Sequence, residues 1–599
     1  MTSVLPTQQH AIGDGNDSIN NTQLTRGSHD DDGLEGVFER LEVGVTEQDT
    51  SPLEYLLHGI RLWRLEYAQL RIFIPPMAKA NLQARDDALF PLIDKVQEFL
   101  VSEREVMLIL GDSGAGKSTY NRHLEHKLWT EYYEGGPIPL YIHLSTIDNP
   151  AQDMIEKQLQ ILDIPDDHIQ ELKELRQFIL ICDGYDESQL TANLHKANCL
   201  NQLGEWRAKM IISCRSQFLD SDYLDRFVPE TTNHHKAIRM DLFQEAVITP
   251  FSESQVKDYV EQYVPLEPRI WVTEDYMRML TKIPNLMDLV RNPFLLTLAL
   301  EVLPAITKQK EDFSTIRITR VHLYDIFVVH WLNVNKQRLE SNTLSAEDRI
   351  VYDHLLDAGF IYMGIDYSTR LASAIFEKQD GNPLVQYIHV QDQNTWKAKF
   401  FGMDPEVRLL QESAPLTRSG NYFLFIHRSM QEYFFSRVIY SPVETDENEF
   451  DPQVETAAPA SFLFDGSSPL FQRNLLKEHS IIQFLCDRVN LIPEFEKQLR
   501  AVIDQSKTDA SVTIAATNAI TILVKAGANF NGANLRNVKI PGADLSSGQF
   551  DSAQFQGADL TGVNLTQSWL RQANLSGALM EDQWTVVPTR PMENCWQWV

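Results

Sequence analysis

The clearest chemistry in this 599-residue chain sits in nine consecutive residues, Gly111-Asp112-Ser113-Gly114-Ala115-Gly116-Lys117-Ser118-Thr119. They follow the apolar run Val106 to Leu110 and precede the helical stretch Tyr120 to Trp129, the strand–loop–helix setting that G-x-x-x-x-G-K-[ST] requires. The glycines let the backbone bend so that successive N–H groups point inward at phosphates, and the helix N-terminus adds partial positive charge. Lys117 is expected to reach the β- and γ-phosphates of a nucleotide and Ser118 to ligate Mg²⁺. Sixty-six residues beyond Lys117, the apolar run Phe178 to Cys182 ends in Asp183-Gly184-Tyr185-Asp186-Glu187. An acid at the carboxyl end of a neighbouring strand can hold the Mg²⁺ hydration shell, the role expected of Asp183. Asp186 and Glu187 can polarise a water for attack on the γ-phosphate. A further run, Lys209 to Cys214, ends in Arg215, which taken by itself reads as a structural ion-pair partner.

Positioning such groups takes a buried parallel sheet. The runs at 106–110, 139–144, 178–182 and 209–215 alternate with helical patterns and predict a doubly wound α/β domain. Upstream, apolar residues recur at helical spacing from Leu53 to Ile74, a helix expected to end at Pro75-Pro76. A second helix is expected over Ala88 to Val101 with Pro91 in its first turn. The first 50 residues hold ten acids and two bases, too polar to offset chain entropy, and read as disordered. Six acids and no base between Glu444 and Glu455, amid several prolines, read as a linker or solvated loop.

Several blocks between Pro75 and Arg437 resemble a known family. The D-G-x-D-E of Asp183 to Glu187 is similar to the signature of NACHT NTPases, members of the STAND class of P-loop signalling ATPases. By that resemblance Arg215 falls at the position that senses the γ-phosphate. Arg291-Asn292-Pro293-Phe294-Leu295-Leu296 looks like the helical-domain segment whose proline packs near the base, although Pro293 also suits an ordinary helix start. Phe425 to Phe434 looks like the winged-helix block whose histidine, here His427, touches the β-phosphate of ADP; a core histidine is the other reading. The resemblance implies a slow NTPase acting as a switch: ADP locks the domains together, and exchange for ATP frees them to self-associate. A P-loop kinase or metabolic ATPase is the second reading, and a binding scaffold with a vestigial NTPase the third. No N-K-x-D guanine signature is found, which favours ATP over GTP without deciding it.

From Ala526 to Met580 the chain repeats every five residues. Each fifth residue from Phe530 onward is Leu, Phe, Ile or Met, and two positions earlier stands a small residue or Val. No helix or open strand has that period. A square solenoid does, with one pentapeptide per side. This resembles the pentapeptide-repeat family of right-handed quadrilateral β-helices, and eleven repeats give nearly three coils, about 13 Å tall at ~4.8 Å per layer. Such arrays serve as sensors in STAND proteins, which implies protein recognition here. Trp584, Trp596 and Trp598 either cap the solenoid or belong to a further domain.

The expected organisation is therefore a disordered tail (1–52), a helical extension (53–100), a NACHT core (101–235), a helical domain (236–340) and a winged-helix-like domain (341–440). An acidic, proline-rich linker (441–470), further helices (471–525), the β-helix (526–582) and a tail or cap (583–599) follow. The net charge of −30, from 53 Lys+Arg against 83 Asp+Glu, argues against general nucleic-acid binding. The repeats themselves carry three acids (Asp544, Asp551, Asp559) and three bases (Arg536, Lys539, Arg571), unsuited to mimicking DNA. Five scattered cysteines, no secretory signal and no ~18-residue apolar span predict a soluble cytoplasmic protein.

Overall fold

The computed structural model describes residues 52–580 except 68–69, 86–87, 189–190, 220–222, 231–238, 267–270, 284–285, 308–317, 342–343, 420, 441–465 and 467. The acidic tail, most of the 441–470 linker and the three tryptophans beyond 580 lie outside the described residues. The apolar runs form strands β3 (Val106–Gly111), β4 (Ile138–His143), β5 (Gln177–Asp183) and β6 (Arg207–Arg215). With β1 (Met77–Lys79), β2 (Phe90–Pro91) and β7 (Phe243–Ile248) they make a seven-stranded sheet of order β2-β1-β7-β3-β6-β5-β4. The five strands β3 to β7 run parallel, and β1 is antiparallel to both neighbours.

Every residue of β3 is buried because both sheet faces are covered. Val106, Leu108 and Leu110 join Leu140, Leu180 and Ile212 in one apolar cluster. Met107 and Ile109 join Ile179, Ile181 and Ile211 in another, the two-residue alternation of a pleated strand. Burying each such side chain contributes roughly 1.5–3 kcal/mol before entropic costs.

Four sequence expectations change. Asp183 does not end a strand next to the phosphate loop, because β6 lies between β3 and β5. The sheet also outgrows the 101–235 core, taking β1 and β2 from upstream and β7 from the expected helical domain. The first helix spans Pro52–Tyr67 and stops short of Ile74. Pro91 belongs to an edge strand, and the helix behind it is Leu92–Val101. A proline fits there because β2 is the outermost strand and needs few ladder donors.

Beyond the sheet, helices dominate. Glu253–Tyr263 starts at a capping box of Ser252 and Gln255, and Pro293–Thr307 and Arg320–Ser341 follow. Phe360–Gln379 and Arg428–Tyr440 flank a small antiparallel sheet of β8 (Val385–Gln386), β9 (Leu416–Ser419) and β10 (Tyr422–Phe425), ordered β8-β10-β9. His479–Leu491, Pro493–Gln505 and Thr513–Lys525 lie further along the chain. Asp325 ties three of these helices together, accepting from the Tyr433 hydroxyl and pairing with Arg488 at 2.5 Å and Arg437 at 3.5 Å.

In the repeats, parallel bridges join residues twenty apart, such as Asn534 to Gln554 and Gln549 to Trp569. Leu535 N donates to the Gln554 carbonyl at 2.8 Å, and Gln554 N to that of Ala533 at 2.9 Å. The fifth-position residues Phe530, Leu535, Ile540, Leu545, Phe550, Phe555 and Leu560 are buried. Phe530 stacks on Phe550, one bridge interval along, at 5.4 Å. Helix Thr513–Lys525 docks on the repeats: its Lys525 Nζ meets Asp544 Oδ2 at 2.7 Å, and its Thr521 hydroxyl accepts from Asp544 N at 3.1 Å. One apolar core consequently runs from the helices after the sheet through to Leu560. Among the described residues no helix is long and apolar enough to cross a membrane.

Candidate functional site

The loop after β3 bends through Gly114 and Gly116, both at left-handed φ of +76° and +87°, so only glycine fits without strain. A Cβ on Gly114 would also stand 2.7 Å from Asn292 Oδ1. Lys117 opens helix Lys117–Thr130 and curls back to donate to the Gly111 and Asp112 carbonyls at 2.8 and 3.0 Å. Burial pushes its ammonium below the usual range, with Asp186 opposing. Asp112 and Thr119 are exposed, and Asp112 Oδ1 accepts from Gln217 at 2.8 Å. The Ser113 hydroxyl is buried with no hydrogen-bond partner, as suits a loop made to wrap a polar ligand.

Asp183, 2% exposed, is surrounded by donors. Asn121 Nδ2 donates to Oδ1 at 2.8 Å and the Tyr141 hydroxyl to Oδ2 at 2.9 Å; the Ser213 hydroxyl also donates to Oδ1. Burial works to raise this carboxyl, but His143 and the hydroxyls of Ser213, Ser118 and Tyr141 outweigh it and hold it below the usual range. Glu187 is shifted the other way. Burial raises it against the pull of His143, whose Nε2 lies 3.8 Å away, and of Arg428. Two neighbouring carboxyls driven apart in this way suit different roles, one anionic at a cation and one able to take a proton.

Arg215 ends β6 opposite Gly111 in the β3–β6 register. Its Nε lies 3.0 Å from Asp186 Oδ2, its backbone N donates to Asp186 Oδ1 at 3.0 Å, and its guanidinium meets Glu432 Oε1 at 2.6 Å and Ser480 Oγ at 3.2 Å. Both carboxylate oxygens of Asp186 thus meet Arg215.

Pro293 and His427 arrive from the helical region. Pro293 Cγ lies about a van der Waals contact, 4.0 Å, from where a Cβ on Gly116 would stand, so it packs on the phosphate loop. Its neighbours do more. Asn292 Nδ2 donates to the Ser113 carbonyl at 2.8 Å, while its Oδ1 accepts from Phe294 N and Leu295 N at the start of helix Pro293–Thr307. The Phe294 ring stacks on His427 at 4.0 Å. His427 Nδ1 accepts from Ser429 N at 3.1 Å, which leaves the ring proton on Nε2 in the neutral form. Burial, with Arg215 and Lys117 nearby, lowers its pKa to about 3, so the ring is neutral.

The structure therefore gathers Gly111 to Ser118, Asp183, Asp186, Glu187, Arg215, Pro293 and His427 around the carboxyl ends of β3, β5 and β6. Sequence reasoning missed Asn121, His143, Ser213, Asn292, Glu432 and Ser480. Asn292 and Glu432 had a signal, their places inside the blocks around Pro293 and His427, and His143 lay within the 139–144 run.

A parallel sheet with a glycine-bent loop after β3, a lysine folded over that loop and a buried strand-end aspartate defines a P-loop NTPase. Residues 105–267 match the NACHT domain, and residues 528–567 and 558–582 match pentapeptide repeats in eight copies, so the chain carries a NACHT P-loop NTPase domain and, further on, pentapeptide repeats. No curated protein matches it. Among solved structures, the Walker-type ATPase PABY2304 of Pyrococcus abyssi is 13% identical with a TM-score of 0.25, covering 61% of this chain and 99% of its own. The STAND protein PH0952 of Pyrococcus horikoshii, which carries a tetratricopeptide-repeat sensor, is 11% identical with a TM-score of 0.26, covering 76% of this chain and 59% of its own.

Proposed function

We propose that the chain is a nucleotide-dependent switch of the STAND type, binding ATP or GTP with Mg²⁺, hydrolysing it slowly and recognising protein through its repeats. One observation carries the reading. His427 stacks on Phe294, whose backbone N donates to the Gly114 carbonyl of the loop, and Glu432 bonds Arg215 at the strand end that would meet a phosphate. Occupancy at those strand ends can therefore bias how the helical region docks, the arrangement a two-state switch needs.

The loop N–H groups and Lys117 would bind the phosphates. Ser118 and Asp183 would hold Mg²⁺, whose hard charge suits one carboxylate, one hydroxyl and phosphate oxygens, and which would neutralise charge on the transferring phosphate. Glu187, with its raised pKa, would take the proton of an attacking water, and Arg215 would meet the γ-phosphate. Neutral His427 would donate from Nε2 to a β-phosphate oxygen. We read 341–440 as a winged-helix-like domain on the strength of its three-stranded sheet between helices. The twenty-residue bridge interval supports a right-handed quadrilateral β-helix over 526–582. Release of the helical region would expose the sheet domain for self-association in a cytoplasmic setting.

The test is nucleotide identification after gentle purification of the full chain. The expected result is bound ADP that is lost from His427→Ala. An empty site with rapid ATP turnover, or stoichiometric phosphate transfer to a small acceptor, would count against a switch.

A further inference from the structure

Arg215 has a third partner that lies outside the matched NACHT segment. Beyond Asp186 and Glu432, its guanidinium donates to the Ser480 hydroxyl at 3.2 Å. Ser480 stands in the first turn of helix His479–Leu491. That helix packs on Arg428–Tyr440 and on Thr513–Lys525, and its Cys486 thiol donates to the Ile522 carbonyl at 3.4 Å. Thr513–Lys525 is in turn the helix bonded to the repeats through Thr521, Lys525 and Asp544. One side chain therefore connects the end of β6 to the helices on which the repeat array is mounted.

Arg215 can satisfy only a limited set of acceptors at once. Its five N–H donors lie in one plane, and two carboxylates already share them with Ser480. A γ-phosphate, which a nucleoside diphosphate lacks, could be met by Arg215 only if the guanidinium left part of this set. The acceptor easiest to give up is the neutral one, because a hydroxyl holds a guanidinium less strongly than a carboxylate does. We propose that Ser480 is a positioning residue for Arg215: it holds the arginine towards the helical region, and so slows release of a bound nucleoside diphosphate. This rests on the nucleotide-switch reading above.

The experiment is stopped-flow release of a fluorescent ADP analogue from the loaded full-length chain. Ser480 is partly exposed, so Ser480→Ala should fold, and a melting curve confirms it. Release from Ser480→Ala should be at least about fivefold faster than from the parent, in keeping with loss of a hydrogen bond to a charged group. Ser480→Thr, which keeps the hydroxyl, should restore the parent rate. In an Arg215→Ala background the alanine change should move the rate less than twofold, because its effect runs through Arg215. A Ser480→Ala rate within twofold of the parent overturns the proposal, as does an equal acceleration with Arg215 absent. Failure of the parent chain to bind the analogue would instead remove the nucleotide reading itself.

Discussion

At the scale of single residues, His427 joins packing to proton chemistry. Its pKa of about 3 in the folded chain lies far below its ordinary 6.5, so between those values the unfolded chain binds more protons than the folded one. Stability must then rise with pH through that window, be complete above about 6.5, and fall away on acidification. Asp183, held low, adds a loss of the same sign in acid, whereas raised Glu187 contributes the opposite sign. Urea midpoints measured from pH 6.5 to 4 should fall for the parent and fall less steeply for His427→Gln, which cannot titrate. Equal slopes would mean the ring is not neutralised by its surroundings. The phosphate-loop residues were legible in the sequence because their chemistry is contiguous: spacing alone puts Lys117 over its own loop. Asp183 was legible as a charge ending an apolar run. The contacts of Glu432 and Ser480 were not, since each meets Arg215 from more than two hundred residues away.

At the scale of elements, helix Pro293–Thr307 and the phosphate loop are held by the two ends of one side-chain amide. Asn292 caps the helix with its oxygen and holds Ser113 with its nitrogen. Asn292→Asp separates those jobs, because the carboxylate remains a good cap but presents an oxygen to the Ser113 carbonyl. The expected outcome is a melting temperature within a few degrees of the parent and nucleotide affinity weaker by about tenfold, read by titration calorimetry. A large fall in melting temperature with unchanged affinity would make Asn292 a cap alone. The strands around this pair were readable in proportion to their burial. Fully buried β3 and β5 announce themselves as apolar runs, whereas β1 and β2, of three and two residues, are too short to carry any period. β7 was missed because it stands at the threshold of the helical region. The order of strands, with β6 between β3 and β5, is a long-range property that no local pattern holds.

At the scale of the whole molecule, the repeats and the helices before them share one apolar core, so the array is not a detachable appendage. The five-residue period was plain in the sequence, but its docking on Thr513–Lys525 was not, because that helix reads simply as apolar. The bridge interval can be tested directly. Layers about 4.8 Å apart bring bridged residues within disulfide reach, so Gln549→Cys with Trp569→Cys should cross-link under mild oxidation. Deleting one pentapeptide, Gln556 to Leu560, should abolish that cross-link and create one between Asp544→Cys and Trp569→Cys instead. Since four repeats fill one bridge interval, the proposed quadrilateral β-helix would turn everything beyond a gained or lost pentapeptide by a quarter-revolution about the stack. A change of twenty residues alters only its height. In that geometry the exposed Trp569 and Leu579 would face a compass bearing set by the number of repeats before them, so single-pentapeptide changes would re-aim that surface instead of merely displacing it along the stack.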